Sequence, residues 1–441
     1  FGHRRLAIID LSPSGAQPMT NEDGMIWTTF NGEIYNYLTL RGELESKRHQ
    51  FRSKTDTEVL LHLYEEYGEN IVDYLDGDFA FAIWDGRHKK LLMCRDPLGV
   101  KPLYYAWAGP YFIFASELKS ILVHPLIRKS IDQEGLYHYL SYLAVPAPGS
   151  LVRDVHKLCA GELITLDMSG LIEKKQYWEP LPNQYEIGQS SLDMQLEELL
   201  SEAIKKRLMG DVPVGIMFSG GVDSSLNAMM FQELINPARV NTYNVWMDSA
   251  GYVNEKNSAK EMAGHIGTLH HVLQMKEKNI SPSNEYFYNQ AFYQDEPLAD
   301  PAFESLFFLT KFAHDDGMVV LHGGEGADEI FCGYDGYRNW MRRERRFWIP
   351  LCNLPRIFGT VGYKVARVLP FHKWGKIADV LRRRSIGQEF FMSEAIGFYD
   401  HEKQQVLSAA FRRQVTGLDS FDQVRPFYDR LSEIMPDATF L

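Results

Sequence analysis

The sequence predicts an α+β front part followed by an α/β rear part built on a parallel sheet. Three observations carry this. Up to about residue 125, segments rich in β-branched and aromatic residues alternate with Gly, Asp and Pro turns: "MIWTTFNGEIYN", "FAFAIWD", "KLLMCRD", "LYYAWAG" and "YFIFAS". From about residue 190 the pattern becomes helix, strand, helix, strand, with "VGIMFS", "VNTYNVW", "LHHVL" and "MVVLHG" as short apolar strands. Such alternation specifies a parallel sheet with helices on both faces. Glycine-bearing loops follow the first and last of these strands, where such sheets bind ligands.

In chain order, "DTEVLLHLYEEYG" interrupts the front strands with helical spacing and a closing glycine. A short helix around Gly135 to Tyr142, the turn "AVPAPGS" and a hairpin through "ELITLDMSGLIEKKQYW" complete the front part. The polar stretch "EPLPNQYEIGQSS" reads as a linker, giving domains at 1–180 and 190–441. No run of about 18 apolar residues occurs, so no membrane-spanning helix is expected. The formal net charge of −12 argues against nucleic acid as a partner. Cys94, Cys159, Cys332 and Cys352 have no metal spacing and suit a cytoplasmic location. The abrupt "FGHRRLAIIDLS" start and the uncapped "LSEIMPDATFL" end read as domain interiors, so a fragment missing both termini is expected.

The loop "SGGVDSS" carries the chemistry. Gly220 and Gly221 allow a tight turn, the next helix aims its N-terminus at the same place, and Ser219, Ser224 and Ser225 add hydroxyl donors. This is an anion site. No lysine follows, so it is not a P-loop. Asp223 would repel bare phosphate and makes sense as a magnesium ligand. A helix start with small residues packed closely is the plain alternative.

Seven such residues after a strand resemble the pyrophosphate loop of the ATP pyrophosphatase superfamily, whose members cleave ATP between the α- and β-phosphates and adenylate a substrate. The second loop, "LHGGEGADEIFCGYDGY", resembles the SGEGSDE-FGGY motif of asparagine synthetases, with Gly323 and Ala327 replacing two serines. In front, "HRRLAIID", "NGEIYN", "TDTEVLL", "LDGDFAFAIWD", "RDPLGVKPLYY" and "FASELKSIL" resemble, in order, segments of class II glutamine amidotransferase domains. The whole chain therefore resembles the glutamine-hydrolysing asparagine synthetase family. The resemblance implies an N-terminal nucleophile-hydrolase-type αββα sandwich, then an ATP pyrophosphatase-type domain.

It also implies residue roles. Glutamine would be held by Arg5, Leu6, Ala7, Ile8, Ile9, Asn31, Gly32, Glu33 and Asp56. Arg5 takes the carboxylate, Glu33 and Asp56 the ammonium, and Asn31 with Gly32 forms the oxyanion hole. ATP would be held by Met217, Ser219, Gly220, Gly221, Asp223, Ser224, Ser225, Val245, Gly323 and Gly324. Asp223 and Asp328 would bind Mg2+, and Glu325 would assist adenylation or deprotonate ammonia. "YQDEPLADPA" resembles a substrate-cleft segment, though a solvated acidic loop is the better reading of its carboxylates alone.

Two family groups are absent from this stretch: an N-terminal cysteine nucleophile, and a lysine beyond a DKM-type segment. Cys94 reads as a core residue and Lys403 matches no such context. The fragment is expected to be inactive in both half-reactions, and its parent active. The expected reaction transfers ammonia from glutamine to an adenylated carboxylate, aspartate first. A sugar acid or peptide acceptor, or a non-catalytic homologue, stays open, as does a homodimer.

Between Arg338 and Arg384, thirteen Lys and Arg face only Glu344 and Asp379. A helical insert packed on the rear domain with solvated arginines is expected, against an anionic-surface contact. Adjacent His270 and His271 in a strand point to opposite faces and cannot easily share a metal.

Overall fold

A computed structural model describes residues 1–180, 189–235, 238–248, 255–276, 284–300, 302–366, 368, 371–388 and 397–435. Most of the linker read at 179–191 lies outside them.

The front part has nine strands: β1 (Met19–Thr20), β2 (Ile26–Ile34), β3 (Gly77–Asp85), β4 (Lys90–Arg95), β5 (Tyr104–Ala108), β6 (Tyr111–Ala115), β7 (Val155–Lys157), β8 (Glu162–Leu166) and β9 (Ile172–Gln176). They form an antiparallel six-stranded sheet ordered β1-β2-β3-β4-β8-β9 and a three-stranded sheet ordered β6-β5-β7. Helices α1 (Tyr37–Ser46), α2 (Thr57–Tyr67), α3 (Leu118–Leu122) and α4 (Gln133–Tyr142) belong to this part.

The two-residue side-chain period of the strands builds the layers. Phe79, Phe81 and Ile83 face one way and pack with Val59, Leu60 and Leu63 of α2 and Leu40 and Leu44 of α1. Ala80 and Ala82 face the other way, against Tyr105 of the small sheet and Leu103 just before it. The far face of β5, Tyr104, Ala106 and Ala108, packs on Leu118 and Ile121 of α3. The result is helix, sheet, sheet, helix: the expected αββα sandwich. Helix α1 was not expected; its apolar content on the buried side is reduced to Leu40 and Leu44, too sparse for a periodic signal.

In the rear part, α5 (Gln189–Arg207) precedes β10 (Val214–Met217), α6 (Val222–Ile235), β11 (Asn241–Asp248), α7 (Glu255–Ile266), β12 (Leu269–Lys276), α8 (Asn284–Gln294), α9 (Ala302–Asp315) and β13 (Val320–His322). The four strands are parallel and ordered β12-β11-β10-β13. The chain steps outward from β10 to β12, then returns to the opposite side of β10. The strand order therefore reverses between β10 and β13, the point where such sheets bind ligands. Ile216 and Phe218 pack against Ala228 and Phe231 of α6 and Ala259 and Ala263 of α7.

The basic segment is helical, as α11 (Asp335–Arg343), α12 (Ile349–Cys352), α13 (Arg356–Ala366) and α14 (Phe371–Ile386), preceded by the short α10 (Ala327–Phe331). Its arginines are not all solvated. Arg383 Nε donates to Asp379 Oδ2 at 2.6 Å, with both side chains nearly inaccessible. Arg382 bridges to Asp400 and Asp419. His270 and His271 part as expected, His270 Nδ1 bonding Thr242 Oγ1 and His271 Nε2 meeting Asn241 Oδ1. Among the described residues no helix is long and apolar enough to cross a membrane.

Candidate functional site

Strands β10 and β13 pair in register from Val214↔Val320 to Ile216↔His322. The loops that leave their carboxyl ends therefore start side by side. Asn227 Nδ2 donates to the Gly323 carbonyl at 3.4 Å. A Cβ built on Gly324 would stand 3.3 Å from Asp223 Cβ and 3.6 Å from the Ser224 nitrogen. Asp328 lies in the first turn of α10, which begins where Ala327 N donates to the Gly324 carbonyl. Val245, on the neighbouring β11, lies two residues past Tyr243, the partner of Met217, at the same edge of the sheet.

The first loop is tied to itself by hydroxyls. Ser219 Oγ accepts from Gly221 N at 3.2 Å and bonds Ser224 Oγ at 3.0 Å. Ser225 Oγ is buried without a protein partner. Gly220 has φ +80°, and a Cβ there would meet the Ala259 backbone at 2.6 Å, so this glycine serves helix packing as well as the turn. Gly221 meets only Ser219 Oγ and lies open. At Gly323 a Cβ would stand 2.4 Å from Met217 Cε, the mobile end of a side chain that occupies this space. Glu325 is exposed beside Gly323. Asp328 Oδ1 faces Gly333; carboxylates carried by two adjoining loops, an orphan hydroxyl and an open glycine are the donor types that suit a hydrated hard cation with its phosphate.

A second site lies in the front sandwich. A cavity of about 800 Å³ is lined by Arg5, Leu6, Ile8, Ile9, Asn31, Gly32, Glu33 and Asp56, together with Lys101, Ser116 and Lys119. Of the nine residues expected there, Ala7 alone does not line it. Asn31 and Gly32 sit inside β2, paired with Ala80 and Phe79, and not in a hairpin turn. Gly32 has φ +151°, and a Cβ would meet the Asp78 carbonyl oxygen at 2.1 Å. Asn31 Nδ2 reaches Ser116 Oγ at 3.4 Å. The Arg5 Nη groups donate to the carbonyls of Ile9 and Asp10, so the guanidinium is held in place by the loop it belongs to. Cys94 is fully buried in β4, and burial pushes its thiol far up, as its core reading requires.

Sequence reasoning did not single out Lys101. Asp96 accepts from the backbone nitrogens of Leu98, Val100 and Lys101 at 2.9–3.1 Å, which locks the "DPLGVK" turn and presents Lys101 to the cavity. Burial and the neighbouring Asp56 push the Glu33 carboxyl up to about 7. Burial also raises Asp56, although its Oδ2 accepts from Ile34 N at 3.0 Å. A ligand ammonium needs Glu33 ionised. Glutamine affinity is therefore expected to fall about tenfold per pH unit below 7 and to level off above it. Glu33→Gln should weaken binding and abolish the slope, as read by calorimetric titration between pH 5.5 and 8.

The two sites are joined by a stitched seam. Asp211, three residues before β10, accepts from Asp10 N and donates its own N–H to the Ile8 carbonyl at 2.8 Å. Arg207 stacks on Tyr35, whose hydroxyl donates to Asp78, and the Arg207 carbonyl meets His322 Nε2 at 3.1 Å. Phe292 and Tyr293 of α8 reach the rim of the front cavity.

The acidic pair of "YQDEPLADPA" is neither solvated nor free. Asp295 accepts from Leu118 N and Lys119 N at the start of α3. Glu296 accepts from Leu151 N at 2.7 Å and Tyr104 Oη at 3.1 Å, and pairs with Lys157. The solvated-loop reading fails for these two carboxylates because the front domain supplies donors that no local sequence shows. Glu296→Ala leaves three donors without their acceptor and is expected to cost about 2–4 kcal/mol in urea unfolding, and Glu296→Gln distinctly less.

A sandwich with a polar cavity, fused to a parallel sheet with two adjoining glycine loops at its binding edge, defines the two-domain amidotransferase–ligase class. Residues 1–178 match the model of the glutamine amidotransferase domain and residues 195–435 that of asparagine synthase. The chain belongs to the asparagine synthase family. It is 36% identical over 412 residues to asparagine synthetase [glutamine-hydrolyzing] 1 of Bacillus subtilis (strain 168), covering 92% of this chain and 62% of that protein. It is 35% identical over 384 residues to the putative asparagine synthetase 2 of Methanocaldococcus jannaschii, covering 83% of this chain and 72% of that protein. Amidase chry2 of Gibberella zeae is 32% identical over 359 residues, covering 77% and 52%.

Proposed function

We propose that the protein is the glutamine- and ATP-binding body of an amide-forming ligase that makes asparagine from aspartate. The single observation that carries this reading is the side-by-side placement of Ser219–Ser225 and Gly323–Asp328 at the strand-order reversal of the rear sheet. In this reading the first loop donates its N–H groups and hydroxyls to the departing diphosphate. Asp223 and Asp328 would hold Mg2+, which when bound would supply neutralising charge at the phosphates. Glu325, exposed beside the loop, takes a proton from incoming ammonia in this reading. The acceptor carboxylate attacks the α-phosphorus, releasing pyrophosphate and leaving an acyl-adenylate. Ammonia then displaces AMP.

In the front cavity Glu33 and Asp56 hold the glutamine ammonium, Arg5 its carboxylate, and Asn31 with the Gly32 N–H the developing oxyanion. The test is a product assay on the full-length protein of the gene. Glutamine, aspartate and MgATP should give asparagine, AMP and pyrophosphate in equal amounts. Turnover with a uronic acid or a peptide carboxylate, and none with aspartate, would replace the acceptor while keeping the chemistry.

A further inference from the structure

Away from both sites, on the outer helical layer of the front domain, three ligating atoms converge. His49 Nδ1 stands 3.1 Å from His62 Nδ1, and Glu65 Oε2 stands 3.2 Å from His62 Nδ1 and 3.6 Å from His49 Nδ1. His62 and Glu65 are one turn apart on α2, and His49 comes from the loop after α1. We propose that His49, His62 and Glu65 bind a zinc-class divalent ion that clips this loop to α2.

The geometry supports an ion better than a hydrogen-bond cluster. The point equidistant from the three atoms lies about 1.9 Å from each. An ion at the usual ~2.0–2.1 Å from imidazole nitrogen and carboxylate oxygen therefore sits roughly 0.7 Å off their plane. That is the offset of a tetrahedral ion whose fourth ligand, here water, lies on the other side. Two imidazoles and one carboxylate are a donor set that suits zinc and not magnesium, which takes six hard oxygens.

The surroundings hold these atoms in place. Glu66 Oε1 lies 3.0 Å from His49 Nε2, which places the ring proton there and leaves the Nδ1 lone pair facing the cluster. Lys47 in turn holds Glu66. Asn21 Nδ2 donates to Glu65 Oε1 at 2.7 Å, leaving Oε2 for the ion. Phe51 packs on the His62 ring at 4.6 Å. Arg87, 3.7 Å from Glu65 Oε1, is the nearby positive charge that works against the ion.

The test is metal content and cobalt spectroscopy on the 441-residue chain in excess Mg2+. About one Zn2+ should bind per chain, and Co2+ should give the intense visible bands of four-coordinate cobalt. His49→Gln and Glu65→Gln should each weaken Zn2+ at least about tenfold and erase those bands. Glu66→Gln, at a part-exposed position that keeps the fold, should weaken Zn2+ about tenfold through the His49 orientation alone. Zinc uptake indifferent to all three substitutions, or only the pale spectrum of six-coordinate cobalt, overturns the proposal.

Discussion

Asp223→Asn and Asp328→Asn are each expected to lower ATP-dependent amide formation by about 10²–10³-fold, because in the proposed function each carboxylate is a Mg2+ ligand whose loss withdraws several kcal/mol of transition-state stabilisation. Asp223 is exposed in the first turn of α6, so the folded state should be untouched. The signature is specific. Glutamine binding in the front cavity should stay as it was, MgATP binding should collapse, and raising Mg2+ should restore part of it. A thermal melt unchanged within a degree or two, together with lost turnover, separates this outcome from misfolding. Loss of glutamine binding in the same variants would mean that the two sites share a structural lesion, and the metal role would fail.

The second large effect is on stability. Asp379 and Arg383 lie one turn apart on α14, and both side chains are nearly inaccessible. Asp379→Ala removes the carboxylate that faces a buried guanidinium, a loss worth about 3–5 kcal/mol in such settings. Arg382 adds to it, since its Nε lies 3.6 Å from the other Asp379 oxygen. Asp379→Asn keeps one acceptor and should lose less. Urea titration gives both numbers, and an Asp379→Ala cost below about 1 kcal/mol would show that Asp379 is dispensable to its surroundings. The basic insert is thus anchored by its buried Asp379 and by Asp400 and Asp419 beyond it.

The layers were legible because strands announce themselves locally. Phe79, Phe81 and Ile83 alternate with Ala80 and Ala82, and two glycine loops after apolar runs mark the binding edge. What escaped depends on contacts distant in sequence. Helix α1 buries only Leu40 and Leu44 and carries a mostly polar surface. Asn31–Gly32 lies within β2 as the strand pattern indicates, but only the neighbouring β3, whose Asp78 carbonyl leaves no room for a Cβ, shows why position 32 is glycine. Gly220 looks like a ligand glycine, and Ala259, 39 positions later, gives it a packing duty as well. Asp295 and Glu296 find their hydrogen-bond donors some 145–192 residues away. Lys101 needed the Asp96 turn to be seen. The glycine and carboxylate misses are tertiary partners overriding a local cue, whereas α1 was too sparse in apolar residues to show and Lys101 depends on a local Asp96 turn.

The most direct measurement follows an oxygen atom. With full-length protein, aspartate labelled with ¹⁸O in its side-chain carboxylate should deliver one ¹⁸O to AMP and none to pyrophosphate, because the carboxylate attacks the α-phosphorus held between the two loops. Label appearing in inorganic phosphate, with ADP as the nucleotide product, would place the cleavage at the γ-phosphorus and contradict the account.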